Sequence, residues 1–248
     1  MDALAVVLLA VFSAGYLVLA GADIGVGMLL PWLGRDQRER RLVIASFAPF
    51  FLGNEVWLVA AAGLVAGAFP GLEHELLEEL YPVFAVLLFA WVVRDMGLWL
   101  RGRVDASAWR GGCDAAVVAG SWGLALAWGS VLGSLLAGGG GLNAGSVLGL
   151  PLAVLFAWHG AGFARWRLPV ALAGRAARVP SRYGLSALVM ASAPVVAGVE
   201  VSWSEVVAEG AGLTMTAVTT VVVLPLLLAA QALVWWTFRG RVESPSYL

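Results

Sequence analysis

Two carboxylic acids, Asp23 and Glu55, lie inside long apolar stretches of the sequence, where each could take part in proton chemistry. A carboxyl group inside a membrane costs roughly 2.5 kcal/mol or more unless it finds a partner or a water-filled cavity. Glu55 falls near the midpoint of its stretch, where a carboxyl group can bind and release protons. The alternative is a neutral Glu55 that is hydrogen-bonded to a neighbouring helix. Both carboxyls are therefore candidates for a proton route.

Other polar side chains accompany these carboxyls at the same depth. Asn54 and Trp57 are three residues apart and share a helix face, which leaves packing or channel lining as the roles for Trp57. Arg94 and Asp95 end a third apolar stretch. They are either interface residues whose charges reach the lipid headgroups, or an ordered pair that contacts another helix.

His159 lies in a fifth apolar stretch and is open to three interpretations: a haem ligand, a proton relay or a hydrogen-bonded polar residue. The chain contains two histidines and one cysteine, and a transmembrane haem normally takes two axial side chains. His74 lies in an acidic connection and is poorly placed to be the second ligand. We therefore expect this chain to ligate no haem and no metal.

The elements that position these residues are apolar and long. Apolar residues make up 61% of the 248 residues and charged residues 12%, against roughly 45–50% and 25% in soluble domains. This composition excludes a soluble globular domain and predicts a polytopic, all-α membrane helix bundle that forms a single transmembrane domain over residues 1–248. Runs of about 20 apolar residues can cross a membrane. Seven such spans lie near residues 4–32, 43–68, 80–100, 112–136, 146–164, 183–200 and 212–238.

Two local features predict the shape of the first two spans. Gly21 and Gly25 are four residues apart, a spacing that allows close backbone approach between membrane helices. Pro49 removes one helical hydrogen bond and predicts a kink in the second span.

The distribution of arginine predicts the orientation. The chain has no lysine, and its 15 arginines all lie at or after the ends of spans one, three, five and seven. The connections near 69–79, 137–145 and 201–211 contain no arginine. The positive-inside rule then puts the N-terminus outside and the C-terminus in the cytoplasm. Membrane lipid is the expected surrounding, and no nucleic-acid partner is expected.

Several motifs occur together in this chain. The most specific is Gly53-Asn54-Glu55-Val56-Trp57-Leu58 after Pro49. The others are Gly21-x-Asp23-x-Gly25-x-Gly27 before Leu30-Pro31 and a basic loop, Ala68-Phe69-Pro70, Arg94 with Arg101, Asp114 with Gly120-Ser121, His159-Gly160-Ala161, and the run 213–241. Over about residues 1–165 and 184–241, this set resembles subunit II of the bd-type quinol oxidases, which are bacterial terminal oxidases of respiration.

The chain departs from that family's pattern in two respects. Family members usually have nine spans, and this chain has about two fewer, which are missing after His159-Gly160-Ala161. Some members carry an acidic residue directly before Gly-Asn, where this chain has Leu52. A proton route that uses this position would here have to depend on Glu55.

The resemblance implies a subunit of a quinol:oxygen oxidoreductase in the bacterial plasma membrane. Its partner would be a haem-bearing subunit I, which carries haem b, haem d and the quinol site, and a small accessory subunit is left open. Subunit II would stabilise the haems without ligating them, and the complex would take protons from the cytoplasm. The resemblance also puts Trp57 on an apolar oxygen path. Asn54, Arg94 and His159 would order the subunit interface or the polar route that Asp23 and Glu55 form.

Two other classes of protein stay open on the residues alone. A purely structural membrane partner would tolerate replacement of both carboxyls. A small-solute transporter would also bury carboxyls, but typically shows internal repeats with broken helices in paired positions. The sequence predicts one kinked span and has no obvious repeat, which disfavours a transporter.

Overall fold

The computed structural model describes residues 1–139 and 141–244, and the regular elements within those residues are all helical. The α-helices are α1 (Asp2–Met28), α2 (Leu30–Leu33), α3 (Gln37–Phe47), α4 (Phe51–Ala68), α5 (Pro70–Glu79), α6 (Tyr81–Leu100), α7 (Ser107–Leu136), α8 (Gly149–Arg167), α9 (Val170–Ala176), α10 (Tyr183–Ala197), α11 (Trp203–Val206) and α12 (Ala211–Thr237). Two 3₁₀ helices, η1 and η2, cover Ala144–Leu148 and Gly198–Glu200.

Seven helical segments in the described residues are long and apolar enough to cross a membrane. The shortest has 18 residues, which as an α-helix extends about 27 Å and nearly matches a hydrocarbon core of about 30 Å. The predicted all-α, seven-span class is thereby confirmed. The segments are Asp2–Met28, Phe51–Ala68, Tyr81–Leu100, Ser107–Leu136, Ala144–Arg167, Tyr183–Glu200 and Ala211–Thr237.

Pro49 divides the predicted second span into two helices. α3 ends at Phe47 and α4 begins at Phe51, and between them the N–H of Phe50 donates to the carbonyl of Phe47 at 2.8 Å. Proline lacks the N–H that would continue the ladder, and its ring clashes with the preceding turn. The predicted span 43–68 is therefore wrong at its start, because its first residues belong to the charged helix α3.

The glycine-rich end of α1 packs directly against α8. A Cβ atom added to Gly25 would collide with the carbonyl oxygen of Phe156, and one added to Gly160 would collide with the backbone of Gly25. One added to Gly21 would lie 2.5 Å from the terminal methyl group of Met190 on α10. These contacts confirm the close packing predicted from the glycine spacing. As a result, this end of α1 lies in the centre of the bundle.

The remaining helices differ in how much of their surface the chain itself covers. About half of the most apolar 18-residue window is buried in α7 (50%) and in the fifth segment (53%), against 17% in the segment of α10 and 11% in α12. α7 and α8 therefore form the interior together with the buried end of α1, residues 20–28, while α10 and α12 lie at the periphery. α12 packs mainly against α4, which brings its polar residue Gln231 towards the site described next.

Candidate functional site

A buried ion pair joins the first and third membrane spans. Oδ1 of Asp23 on α1 accepts from Nη2 of Arg94 on α6 at 2.5 Å, and both side chains are almost wholly buried. α7 approaches α6 closely enough to fix Arg94, because a Cβ atom added to Gly120 would lie 2.6 Å from the Cβ atom of Arg94. The buried charge of Asp23 thus finds its counterion within the chain.

Asn54 connects this ion pair to the last span. Its Nδ2 donates to Oδ2 of Asp23 at 2.8 Å and to the carbonyl of Leu19 at 3.0 Å. Its Oδ1 accepts from Nε2 of Gln231 at 3.1 Å, and Oε1 of Gln231 accepts from Nε1 of Trp57 at 3.2 Å. A continuous hydrogen-bonded chain therefore crosses α1, α4 and α12, and each buried amide in it finds partners.

Glu55 and Asp95 lie on the outer side of the same arginine. Nη1 of Arg94 lies 3.1 Å from Oδ1 of Asp95 and 3.8 Å from Oε1 of Glu55. Oε1 of Glu55 also accepts from Nε1 of Trp91 at 2.9 Å. The side chains of Glu55 and Asp95 are 17% and 20% exposed, against 3% for Asp23. We call Asp23, Glu55, Arg94 and Asp95 the Arg94 cluster; it runs from the bundle interior to its surface.

Trp57 fills a notch in α1. A Cβ atom added to Gly15 would collide with the Trp57 ring, and the ring centroid of Phe12 lies 5.8 Å away. The sequence left packing and channel lining open as roles for Trp57, and these contacts are those of a packing residue. Its place on an oxygen path stays a prediction.

His159 occupies a separate polar position on α8. Its Nε2 lies 2.9 Å from the carbonyl of Val18, and its Nδ1 lies 2.7 Å from Oγ of Ser186. A carbonyl oxygen only accepts, so Nε2 carries the proton and donates to it. The ring is fully buried and stacks on Tyr183 at 4.7 Å between centroids. Both ring nitrogens are thus bound to protein, which is the arrangement of a hydrogen-bonded core histidine.

The structure brings five of the six predicted site residues into one connected set, and His159 lies apart from it. The sequence did not single out Trp91 or Asp95 as partners of Glu55. Helical spacing could have identified them, because Trp91 and Asp95 are four residues apart and lie with Arg94 on one face of α6.

The arginine-rich connections meet at one end of the bundle. Asp114 at the start of α7 accepts from Arg101 at 2.6 Å and from Arg40 at 3.1 Å. Arg175 forms a bidentate ion pair with Glu39, in which Nη1 donates to Oε2 at 2.6 Å and Nη2 donates to Oε1 at 2.7 Å. Hydrogen bonds from Arg175 and from the backbone N–H of Arg35 lower the pKa of Glu39 from its ordinary value of 4.5 to about 2. Connections that follow spans one, three and five are thereby tied together.

Within the described ranges, no group of three or more His, Cys, Asp or Glu side chains is arranged to hold a metal ion. A haem iron would need an imidazole nitrogen that is free to bind it, whereas both nitrogens of His159 already have protein partners. The residues around His159 therefore do not fit a haem in this chain.

The fold and the site define a multi-pass helical membrane protein with a charged cluster at membrane depth. The family described as cytochrome bd terminal oxidase subunit II matches residues 1–210. The chain belongs to this family, and it is accordingly a multi-pass protein of the bacterial plasma membrane.

Individual relatives match part of the chain. The chain is 39% identical over 103 residues to the Bacillus subtilis protein named cytochrome bd ubiquinol oxidase subunit 2, a match that covers 42% of this chain and 30% of that protein. It is 35% identical over 131 residues to cytochrome bd-I ubiquinol oxidase subunit 2 of Escherichia coli K12, which covers 53% of this chain and 35% of the relative. A Haemophilus influenzae protein named probable cytochrome oxidase subunit 2 is 36% identical over 132 residues, with the same coverage. The chain thus spans about a third of the length of the curated relatives it matches.

Proposed function

We propose that this chain is the non-haem-ligating subunit II of a bd-type terminal oxidase, which oxidises quinol and reduces oxygen to water. Its partner is a haem-bearing subunit I, which supplies haem b, haem d and the chemistry of oxygen reduction. This chain stabilises that partner and helps to deliver protons. Family membership supports the assignment, and the Arg94 cluster is the single observation that carries the proton-delivery role.

Charge balance supports proton storage in the cluster. Three carboxyl groups, those of Asp23, Glu55 and Asp95, share the one guanidinium of Arg94. If all three were ionised, two negative charges would be uncompensated at membrane depth, where an unpaired charge is costly. A bound proton removes part of this cost. Glu55 and Asp95, which are partly exposed, exchange protons with a polar route, and buried Asp23 holds Arg94 in place.

The exposure of Glu55 and Asp95 also supports a partner on this side of the bundle. Their neighbours along the helices, Val59 on α4 and Val92 on α6, are 63% and 60% exposed. Two carboxyl groups next to such an apolar surface would be unfavourable in contact with lipid. Subunit I covers this face, and the proton route passes along the joint surface. Asn54 orders the route by holding both Asp23 and Gln231.

The orientation follows from the end of the bundle at which arginines collect. Arg40 and Arg101 share Asp114, and Arg175 pairs with Glu39, so that ion pairs join three different connections at this end. Under the positive-inside rule this end faces the cytoplasm, so the N-terminus is outside and protons enter from the cytoplasmic end. Trp57 borders the oxygen path, and His159 fixes the packing of α8 against α1.

Purification of the tagged chain in mild detergent from its own host tests the assignment. We expect haem b and haem d to co-purify in the reduced-minus-oxidised spectrum, together with quinol-driven oxygen uptake. A colourless, inactive preparation from cells that express subunit I would overturn the oxidase assignment. The purely structural membrane partner would then be the better description.

A further inference from the structure

Four arginines meet where α8 and α12 end. Arg165 and Arg167 lie in the last turn of α8, and Arg239 and Arg241 follow the end of α12. The N–H of Val242 donates to the carbonyl of Arg167 at 2.9 Å, and Nη1 of Arg241 donates to the carbonyl of Arg165 at 3.2 Å. The ends of the two helices are therefore joined. We call these four residues the α8–α12 arginine patch.

The patch carries positive charge that no carboxylate of the described residues neutralises. The stretches 144–199 and 211–242, to which the four arginines belong, contain no aspartate or glutamate. The next carboxylate along the chain, Glu243, is exposed and pairs with none of them. Within the described residues the ion pairs of arginine all involve residues outside the patch. Four guanidinium groups thus lie together without a counterion in this part of the chain.

Arg167 is the deepest residue of the patch. Its side chain is only 3% exposed, and its Nε donates to the carbonyl of Ser46 at 3.4 Å, whereas Nη1 is buried without a hydrogen-bond partner among the described residues. Its Cζ lies 5.2 Å from the ring centroid of Phe50 and 5.8 Å from that of Trp166. Aromatic rings attract a cation but are no substitute for an anion. Because an unpaired buried charge is costly, an anion bound at the patch would stabilise the folded chain.

Trp235 adds a second unsatisfied donor beside the same two rings. Its ring centroid lies 5.4 Å from that of Trp166, on which it stacks, and 5.4 Å from that of Phe50. Its Nε1 is buried without a hydrogen-bond partner in the described ranges. An indole N–H and a guanidinium can only donate, so the group that satisfies this end of the bundle has acceptor oxygens.

The outer side of the patch is apolar. Leu233 and Trp236 on the last turns of α12 are 60% and 64% exposed, and the guanidinium of Arg239 lies 5.5 Å from the ring centroid of Trp236. Tryptophans at the end of a membrane-spanning helix are typical of the membrane interface. The patch therefore borders the lipid headgroups on one side and the acyl chains on the other.

We propose that the α8–α12 arginine patch binds the phosphate group of an anionic membrane lipid, whose acyl chains lie along Leu233 and Trp236. Guanidinium groups bind phosphate oxygens through short, charge-assisted hydrogen bonds. The exposed Arg165 and Arg239 contact the phosphate, and its negative charge compensates the buried Arg167. Inorganic phosphate offers the same oxygens without the apolar contacts, so the lipid binds more tightly.

The test is native mass spectrometry of the complex, purified in mild detergent and titrated with phosphatidylglycerol. The test variant is Arg165→Gln with Arg239→Gln, which keeps Arg167 and the bonds of Arg241. The control variant is Arg38→Gln with Arg103→Gln, which removes two exposed arginines from other connections. Phosphatidylglycerol binding is expected to weaken about thirtyfold in the test variant, because two arginines near the membrane surface are lost, and to stay unchanged in the control.

A variant with one substitution covers the case in which the double variant does not fold. The guanidinium of Arg239 contacts only the Trp236 ring within the described residues, so Arg239→Gln leaves the joined helix ends intact and is expected to weaken binding about fivefold. Phosphatidylcholine with the same acyl chains is expected to bind all variants equally, because its headgroup carries no net charge.

Two results would overturn the proposal. Equal weakening in the test and control variants would mean that the lipid responds only to the overall charge of the chain. Displacement of phosphatidylglycerol by inorganic phosphate at an equal concentration would mean that the patch takes a soluble anion.

Discussion

Asp23 on α1 and Arg94 on α6 form a 2.5 Å ion pair between nearly inaccessible side chains, although 71 residues separate them in the sequence. The pair fastens the first span to the third. A buried charge whose partner has been removed is far more costly than the loss of both charges together. Asp23 and Arg94 are therefore expected to depend on each other for stability.

The single substitution Arg94→Gln is expected to destabilise the chain by about 3–5 kcal/mol, because it leaves Asp23 buried without a counterion. The double variant Asp23→Asn with Arg94→Gln is expected to recover most of this loss. The thermal unfolding midpoint of the purified complex at a fixed heating rate measures both effects. Arg182→Gln, at an exposed position, is the control. A double variant less stable than either single variant would contradict the pairing.

Gly25 is expected to tolerate no side chain. Gly25→Ala puts a methyl group into the carbonyl oxygen of Phe156 and is expected to cost about 3 kcal/mol, because overpacking displaces the backbone. Gly63→Ala is the matched control, since a Cβ atom there has no neighbour within 4 Å. Size-exclusion chromatography of the two variants compares the yields of folded protein. Equal yields would show that α1 and α8 are not in backbone contact.

Glu39 is expected to make stability depend on pH at the arginine-rich end. Its pKa is lowered to about 2 in the folded chain, so its contribution is fully present above its ordinary value of 4.5 and is lost as the pH falls from 4.5 towards 2. Unfolding midpoints measured between pH 7 and pH 3 should therefore fall more steeply for the natural chain than for Glu39→Gln. Parallel curves would show that the pairing of Glu39 with Arg175 does not contribute to the loss of stability in acid.

The sequence was sufficient to predict seven spans and to place two carboxyls within them, but the expected midpoint position of Glu55 is wrong, because its span begins at Phe51. The length of an apolar run can be counted directly in the sequence. The cost of a carboxyl group in lipid also singles out Asp23 and Glu55 without any structure. The spacing of Gly21 and Gly25 likewise predicts close packing at this end of α1, but not that α8 is the helix it packs against.

The partners of these residues could not be predicted in the same manner. Whether Arg94 meets Asp23 or the lipid interface depends on how α1 and α6 are rotated against each other, which the sequence spacing within one helix does not fix. The same holds for Asn54 and Gln231, which lie 177 residues apart. Pro49 predicts a kink in the second span. That the helix breaks there, with a separate helix before it, depends on packing that the sequence pattern does not show.

Glu55 and Asp95, on either side of Nη1 of Arg94, are expected to pass protons to the oxidase. The most direct test reconstitutes the complex in lipid vesicles and records proton uptake and quinol-driven oxygen consumption after an oxygen pulse. The variant is Glu55→Gln with Asp95→Asn. The control is Glu75→Gln with Glu79→Gln, which removes two exposed carboxyls from α5, outside the membrane-spanning segments.

The cluster variant is expected to lose at least about tenfold in both rates, as removal of a positioned proton donor does, while the haem spectrum and the control variant stay unchanged. Unaltered oxygen consumption with unaltered proton uptake in the cluster variant would contradict a role of Glu55 and Asp95 in proton delivery.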